Sequence, residues 1–417
     1  MDRSEFSSIT ATRNGRLALF GLLYFIQGAL LAYVLVFNNL YLRQAGASAG
    51  QLSLLNGLLV VPFILKIGFG LLSDKVALQL PLLGRGHRLP YISLGLALTT
   101  LGGLAAAYIP PVARYPLFLA TALFLALGLA LYDTVADGLA IDVTPPDQQA
   151  LIQGTMVIGR ALGLVTLAAV YGRAITTFGW PMVFWIVILF TLSPQLLLRL
   201  VREPAERPAG QTFSWEALRE LWRPEIGRFA LYAVVYSIAI YGANAIITLF
   251  TNEELGGTLV EIGDAAAFGG LGMVAGGAAG VALARRLSIW QQALLTAVAV
   301  TITLLLIAGM ANLDNIVFIF LLWGFCLAAA ELVYVTLAMA KSDRRMGAGH
   351  FAIFMAISNA GTGVGQATST GLIDTVDFRW IFVGLALVSL LSFPLLLIMR
   401  ADGISKVKPA LSAPEGS

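Results

Sequence analysis

A single cysteine, Cys326, stands in this chain of 417 residues, and it lies inside an apolar run. Neither an intrachain disulfide framework nor a cysteine metal site can be built from it. Histidine is almost as scarce, and neither His87 nor His350 has a metal-ligand neighbour at useful spacing. No metal and no cofactor is expected. Charge is scarce as well: Asp, Glu, Lys and Arg make up 12% of the residues against 58% hydrophobic ones, and mean hydropathy is +0.85. So little polar surface cannot cover a water-soluble fold, so lipid has to be the outer solvent. The net charge of +3 is small and sorted by membrane side, which argues for topology and against nucleic acid as a partner. A cleavable signal is not expected. The first apolar run, from Leu17 to Leu40, is long enough to span and lacks a small-residue cleavage site, so it should remain as the first helix. Also missing are a nucleophile–base pair and a phosphate loop. Gly361-x-Gly-x-Gly365 lies inside an apolar segment with no strand before it, so the chain is not read as an enzyme.

What the chain does have is apolar segments of membrane-spanning length, and the later ones echo the earlier ones. Arg16-Leu-Ala-Leu-Phe20 through Tyr24 lines up with Arg228-Phe-Ala-Leu-Tyr232 through Tyr236 at an offset of about 212. Gly70-Leu-Leu-Ser-Asp74-Lys75 meets Gly280-Val-Ala-Leu-Ala284-Arg285 at nearly the same offset. Further on, Gly163 falls on Gly361, and Gly179-Trp180 falls near Arg379-Trp380, at roughly 198 to 200. One insertion explains the change, the longer basic loop from Lys75 to Pro90. Spans are expected near 17–40, 50–73, 89–109, 115–141, 149–173, 180–199, 228–251, 259–283, 289–311, 315–340, 347–372 and 380–399. The fold class is therefore an all-α integral membrane protein with 12 transmembrane helices in two pseudo-symmetric six-helix bundles. Residues 1–200 form the first bundle, 201–227 a linker, 228–400 the second bundle and 401–417 a small, polar tail expected to be disordered.

Lysines and arginines set the orientation. About twenty fall on one side, including Arg3, Arg13, Arg16, Lys75, Arg85, Arg88, Arg285, Arg286 and Lys341, and only Arg43, Arg114, Arg173 and Arg379 fall opposite. Both termini are thus expected to be cytoplasmic. In the linker, Phe213-Ser-Trp-Glu-Ala-Leu-Arg-Glu-Leu-Trp222 has apolar residues at helical spacing. It suits an amphipathic helix along the cytoplasmic interface, or one that simply covers the domain junction.

Ionisable residues inside a span are costly unless they face a cavity or a counter-charge, so their distribution points to the pathway. Apart from Arg199 at the very end of span six, spans three, six, nine and twelve contain none, which suits an outer layer facing lipid. Span two carries Lys66, span four Asp133 and Asp137, span five Arg160 and span ten Glu331. At 1.5 Å per residue, Asp133 and Glu331 each lie about 15 Å from one end of their spans, Arg160 about 16 Å in, and Lys66 about 12 Å above Asp74. All sit near the midplane. Asp133 and Glu331 also occupy equivalent places in the two halves. Such charges suit a binding and coupling site, or fixed ion pairs such as Lys66 with Asp137 and Arg160 with Asp133. Asp133 and Asp137, one helical turn apart, could share a proton. Asp142, near the cytoplasmic mouth, reads as a gate or a solvated end. Gln27, Asn56, Asn244, Asn359 and Gln366 are uncharged polar residues within spans, able to line a cavity or bond between helices.

Between spans two and three the chain reads Gly70-Leu-Leu-Ser-Asp74-Lys75 and then Gly84-Arg85-Gly-His87-Arg88. Gly-x-x-x-Asp-Arg/Lys followed by Gly-Arg-x-Arg resembles the cytoplasmic loop signature of the major facilitator superfamily. Gly70 would permit close helix contact, and Asp74 would take an arginine as a charge latch for one state. The second copy has Ala284 where the acid would be. Narrower likenesses exist. Pro62-x3-Lys66-x3-Gly70-x3-Asp74 resembles the second span of muropeptide permeases and, less closely, of folate-biopterin transporters. Asp133-Thr-Val-Ala-Asp137-Gly-Leu-Ala-Ile-Asp142 is similar to the Gln-Asp-Ile-Ala-Val-Asp-Gly stretch of muropeptide and acetyl-CoA transporters, where the first acid aligns and Tyr132 stands in place of the glutamine. Gly159-Arg160-Ala-Leu-Gly163 resembles their Gly-Tyr-Arg-x-Gly segment.

The resemblance implies secondary transport of a small, anionic organic solute by alternating access, with Lys66 and Arg160 as substrate-facing cations and Asp133 or Asp137 as proton-coupling acids. The protein is then expected in the plasma (inner) membrane, acting as a monomer. The rival class is a non-transporting membrane assembly factor of the same superfamily, of the kind that handles pigment and light-harvesting complexes.

Overall fold

The computed structural model describes residues 8–80, 84–203, 223–342 and 347–401. Its helices are α1 (Arg13–Gln44), α2 (Ala49–Lys75), α3 (Leu89–Tyr108), α4 (Tyr115–Val143), α5 (Gln149–Phe178), α6 (Pro181–Leu198), α7 (Pro224–Glu253), α8 (Leu259–Leu283), α9 (Ile289–Met310), α10 (Ile316–Lys341), α11 (Gly347–Leu372) and α12 (Phe378–Arg400). Eleven of these are long and apolar enough to cross a membrane. The remaining helix, α11, has the length, but Gly, Ser, Thr, Asn and Gln dilute its apolar content. The linker segment 213–222 and the tail from Ile404 lie outside the described residues.

Local chemistry sets the helix starts. Ser48 with Gln51, Thr258 with Glu261 and Ser288 with Gln291 form reciprocal capping boxes at the heads of α2, α8 and α9. Proline occupies the first turn of α3, α4, α6 and α7, where its missing N–H would have had no partner. Inside α2 the same residue type acts in reverse. Pro62 removes an internal hydrogen bond, and α2 is interrupted at Val60 and Leu65. The insertion after α2 forms an antiparallel hairpin, β1 (Leu78–Leu80) with β2 (Gly84–Gly86), Leu78 opposite Gly86. An all-helical reading does not anticipate it.

Two compact units emerge. Within the described residues the first takes the chain up to Ala47 and again from Leu65 to Glu203; the second takes Ser48–Ile64 and everything from Arg223 onward. The first part of α2 thus packs within the second unit, on α11, while the part from Lys66 packs on α4 within the first. In the first unit α1 packs on α5, and α3 on α4 and α6; in the second, α7 packs on α11, and α9 on α10 and α12. The pairing repeats, as duplication requires.

Small residues let these helices meet. At the crossing of α8 with α10, a Cβ on Gly324 would run into the backbone of Gly269, and one on Gly276 into that of Phe325. Gly70 differs from its expectation, because a Cβ there would meet only the Thr134 methyl at 3.8 Å, an ordinary contact. The apolar 18-residue stretches of α2, α5 and α8 are 28%, 29% and 33% buried, against 56% for α3. Cys326 is buried, its Sγ 3.3 Å from Thr303 Oγ1.

Replacing Gly324 by Ala should destabilise the fold by about 1–3 kcal/mol through overpacking. Gly277→Ala, with nothing within 4 Å of its Cβ, should be neutral. Thermal unfolding of both variants in detergent checks this, and equal midpoints would refute the close crossing.

Candidate functional site in the first unit

Three helices of the first unit bring the polar residues of the bundle interior together. On α1, Tyr24 and Gln27 are three residues apart and share a face. Asp133 and Asp137 are four apart on α4 and share another. The Gln27 side-chain amide and the Lys66 ammonium both donate to Asp133, and the Tyr24 hydroxyl donates to Asp137. The Asp133 side chain is 8% exposed and Lys66 is 32% exposed, so the pair has one closed side and one open side. Tyr132 braces the junction by donating to the Leu23 carbonyl.

The pairing differs from the one expected of fixed bridges. Lys66 takes Asp133 rather than Asp137, because the break at Leu65 starts a fresh helical stretch at Lys66 that packs on α4. Arg160, on α5, is exposed and within electrostatic reach of Asp137, but it makes no hydrogen bond or ion pair with any described residue. One acid is thus neutralised directly, while the other holds a hydroxyl and leaves a nearby guanidinium available. Gln27 has its carbonyl oxygen buried without a hydrogen bond to any described residue.

A second cluster forms where α2, α3 and α4 end. Arg88 is buried and splits its guanidinium three ways: to Asp74 at 2.8 Å, to Asp142 at 2.8 Å and to the Ser73 hydroxyl at 2.9 Å. Asp142, 7% exposed at its side chain, is therefore an ion-pair member and not a solvated end. Gly138 makes the space, since a Cβ there would stand 2.7 Å from the guanidinium carbon. Lys75 and Arg85 are exposed and outside this latch. Glu203, which sequence reasoning missed, accepts from the backbone N–H groups of His87, Arg88 and Leu89 at 2.7 to 2.9 Å, capping α3 with a carboxylate. An acid soon after the end of α6 is its one sequence signal. Tyr24 was also missed; its place one turn before Gln27 was the available clue.

The remaining candidates lie in the second unit. Asn244 accepts from the Trp323 indole at 3.3 Å, Asn359 donates to the Phe63 carbonyl at 3.2 Å, and Asn56 donates to the Leu52 carbonyl at 2.8 Å. These are bonds that hold helices or fold a side chain onto its own turn. Glu331 is half-buried and within electrostatic reach of Tyr236.

Apolar helices in a duplicated arrangement, with charges gathered inside one bundle, define a multi-pass membrane transporter. The sequence pattern of the Major Facilitator Superfamily matches residues 19–349, and the chain belongs to that family. Among solved structures it is similar to a bacterial homologue of the human lysosomal transporter Spinster, in an inward-facing and unoccupied conformation, with TM-score 0.68 and 17% identity over 95% of this chain and 98% of that one. It is also similar to a mutant of the nucleoside transporter NupG, with TM-score 0.78 and 11% identity over 92% and 99% of the two chains. At such identities the likeness is one of fold. No curated protein sequence matches the chain.

Arg88→Gln should remove the cation that Asp74 and Asp142 share and destabilise the fold, by on the order of 1–3 kcal/mol because Asp74 is partly solvated. Adding Asp142→Asn should recover part of the loss, a coupling that a double-mutant cycle of unfolding midpoints measures; strict additivity would contradict the latch.

Proposed function

We propose that the protein is a secondary active transporter that carries a small organic anion together with protons, by alternating access. In this reading it has twelve spans in the plasma (inner) membrane, both termini are cytoplasmic, and it works as a monomer without cofactor or catalysis. The observation that carries the reading is Arg160: a permanently charged group in the body of a membrane helix, exposed, and without a hydrogen bond or ion pair to any described residue. Arginine does not discharge itself by losing a proton. A charge so placed requires water and a counter-ion, and an anionic solute supplies the second.

The Lys66–Asp133 pair supports proton coupling. Neutralising Asp133 would cancel its attraction for Lys66 and let the ammonium turn toward the anion. Proton and anion then bind in the same state, which is the logic of symport. Asp137, which accepts from the Tyr24 hydroxyl and lies within electrostatic reach of Arg160, offers a second carboxylate for the same purpose.

Thermal unfolding against nucleotides, muropeptides, folates, organic acids, sugars and pigments should find one anionic class that raises the midpoint, since a ligand at 100 times its Kd adds about 2.7 kcal/mol. Arg160→Gln should abolish that shift. Silence across the panel, or a response to pigment alone, would favour an assembly factor. In vesicles loaded with the solute so found, Asp133→Asn should abolish proton-driven accumulation and retain counterflow exchange. Accumulation surviving in both Asp133→Asn and Asp137→Asn would remove proton coupling by these acids.

A further inference from the structure

The second unit contains a small cavity among α7, α9, α10 and α12. Tyr232, Tyr236, Thr296, Ala330, Ser389 and Ser392 are among its lining residues, and all the lining residues but Thr296 are buried. Its polar groups are hydroxyls. Ser389 already accepts from Thr301 at 2.9 Å, and Thr296 donates to its own helix. The Tyr236 hydroxyl is buried and has no hydrogen-bond partner among the described residues.

Duplication explains why that hydroxyl stands alone. Tyr236 is the counterpart of Tyr24, whose hydroxyl donates to Asp137. At the offset of about 198 that relates α4 to α10, Asp133 falls on Glu331, but Asp137 falls on Val335. The second half kept the tyrosine and lost its acceptor. The ring has little freedom to turn elsewhere, because it stacks on Tyr334 with centroids 5.1 Å apart and planes 17° from parallel. Glu331 lies within electrostatic reach of the same hydroxyl.

We propose that this cavity is an internal hydration site, in which ordered water completes the hydrogen bonding of the Tyr236 hydroxyl that lost its carboxylate acceptor. Water fits the chemistry. No charged side chain lines the walls, which disfavours an ion; hydroxyls both donate and accept; and the space is of the size that admits a water molecule.

The sign of one substitution tests the proposal. In the full-length protein, Tyr236→Phe should lower the unfolding midpoint by a few degrees, because the water loses its donor. A midpoint that is unchanged or raised would mean a dry cavity and overturn the proposal, since removing an unpaired buried hydroxyl relieves a cost. Ala297→Val, which fills part of the space, should also lower the midpoint, and should do so less when combined with Tyr236→Phe. Radiolytic footprinting in ¹⁸O-labelled water gives an independent reading. Buried Tyr236 should acquire label in the parent protein and not in Ala297→Val; absence of label in the parent would equally overturn the site.

Discussion

An ion inside an apolar helix bundle must be matched by an opposite charge, by hydrogen bonds or by water, and the interior of the first unit is arranged around that demand. Asp133 meets it with Lys66 and Gln27, and Asp137 meets it in part with Tyr24. Three helices are tied through two carboxylates, so a change in the charge of either acid is felt by all three. Removing one member of such a pair leaves the other uncompensated, which is why these groups either stay together or change protonation. Among the described residues Arg160 makes no such match, and the proposed solute site rests on it.

The same rule shapes the helix ends. Arg88 draws Asp74, Ser73 and Asp142 onto one guanidinium, while Glu203 closes the exposed amides at the head of α3. A guanidinium suits this task because its planar fork presents several donors at fixed angles. Glycine at position 138 is as necessary as the acids, since the guanidinium lies against its Cα. The second half, with Ala284 in place of Asp74, does not repeat the acid of this lock. Duplication has therefore preserved the helix pairing of the two units and let their polar interiors diverge.

Much of this was legible beforehand, for identifiable reasons. Span positions follow from apolar length, and the family followed from the Gly70 to Arg88 pattern. Lys66, Asp133, Asp137 and Arg160 stood out because charge is rare in such segments. Which acid Lys66 would choose was not legible, because it depends on the break at Leu65, and a proline at 62 signals a break without its direction. Glu203 and Tyr24 were hidden for a different reason. Their roles rest on contacts across more than a hundred residues of chain, and no local spacing announces them. Gly70 misled in the opposite way: a motif glycine suggested a tight crossing, whereas the tight ones involve Gly269, Gly276 and Gly324.

The burial of Cys326 carries a practical meaning. Its sulfur faces Thr303 inside the second unit and is 3% exposed, so a water-borne thiol reagent finds almost nothing to react with on the unaltered chain. The protein is in effect its own cysteine-free background. A reporter thiol introduced on either bundle would give a labelling signal that belongs to that position, and spin labels or fluorophores could follow the transport cycle with no prior removal of native cysteine.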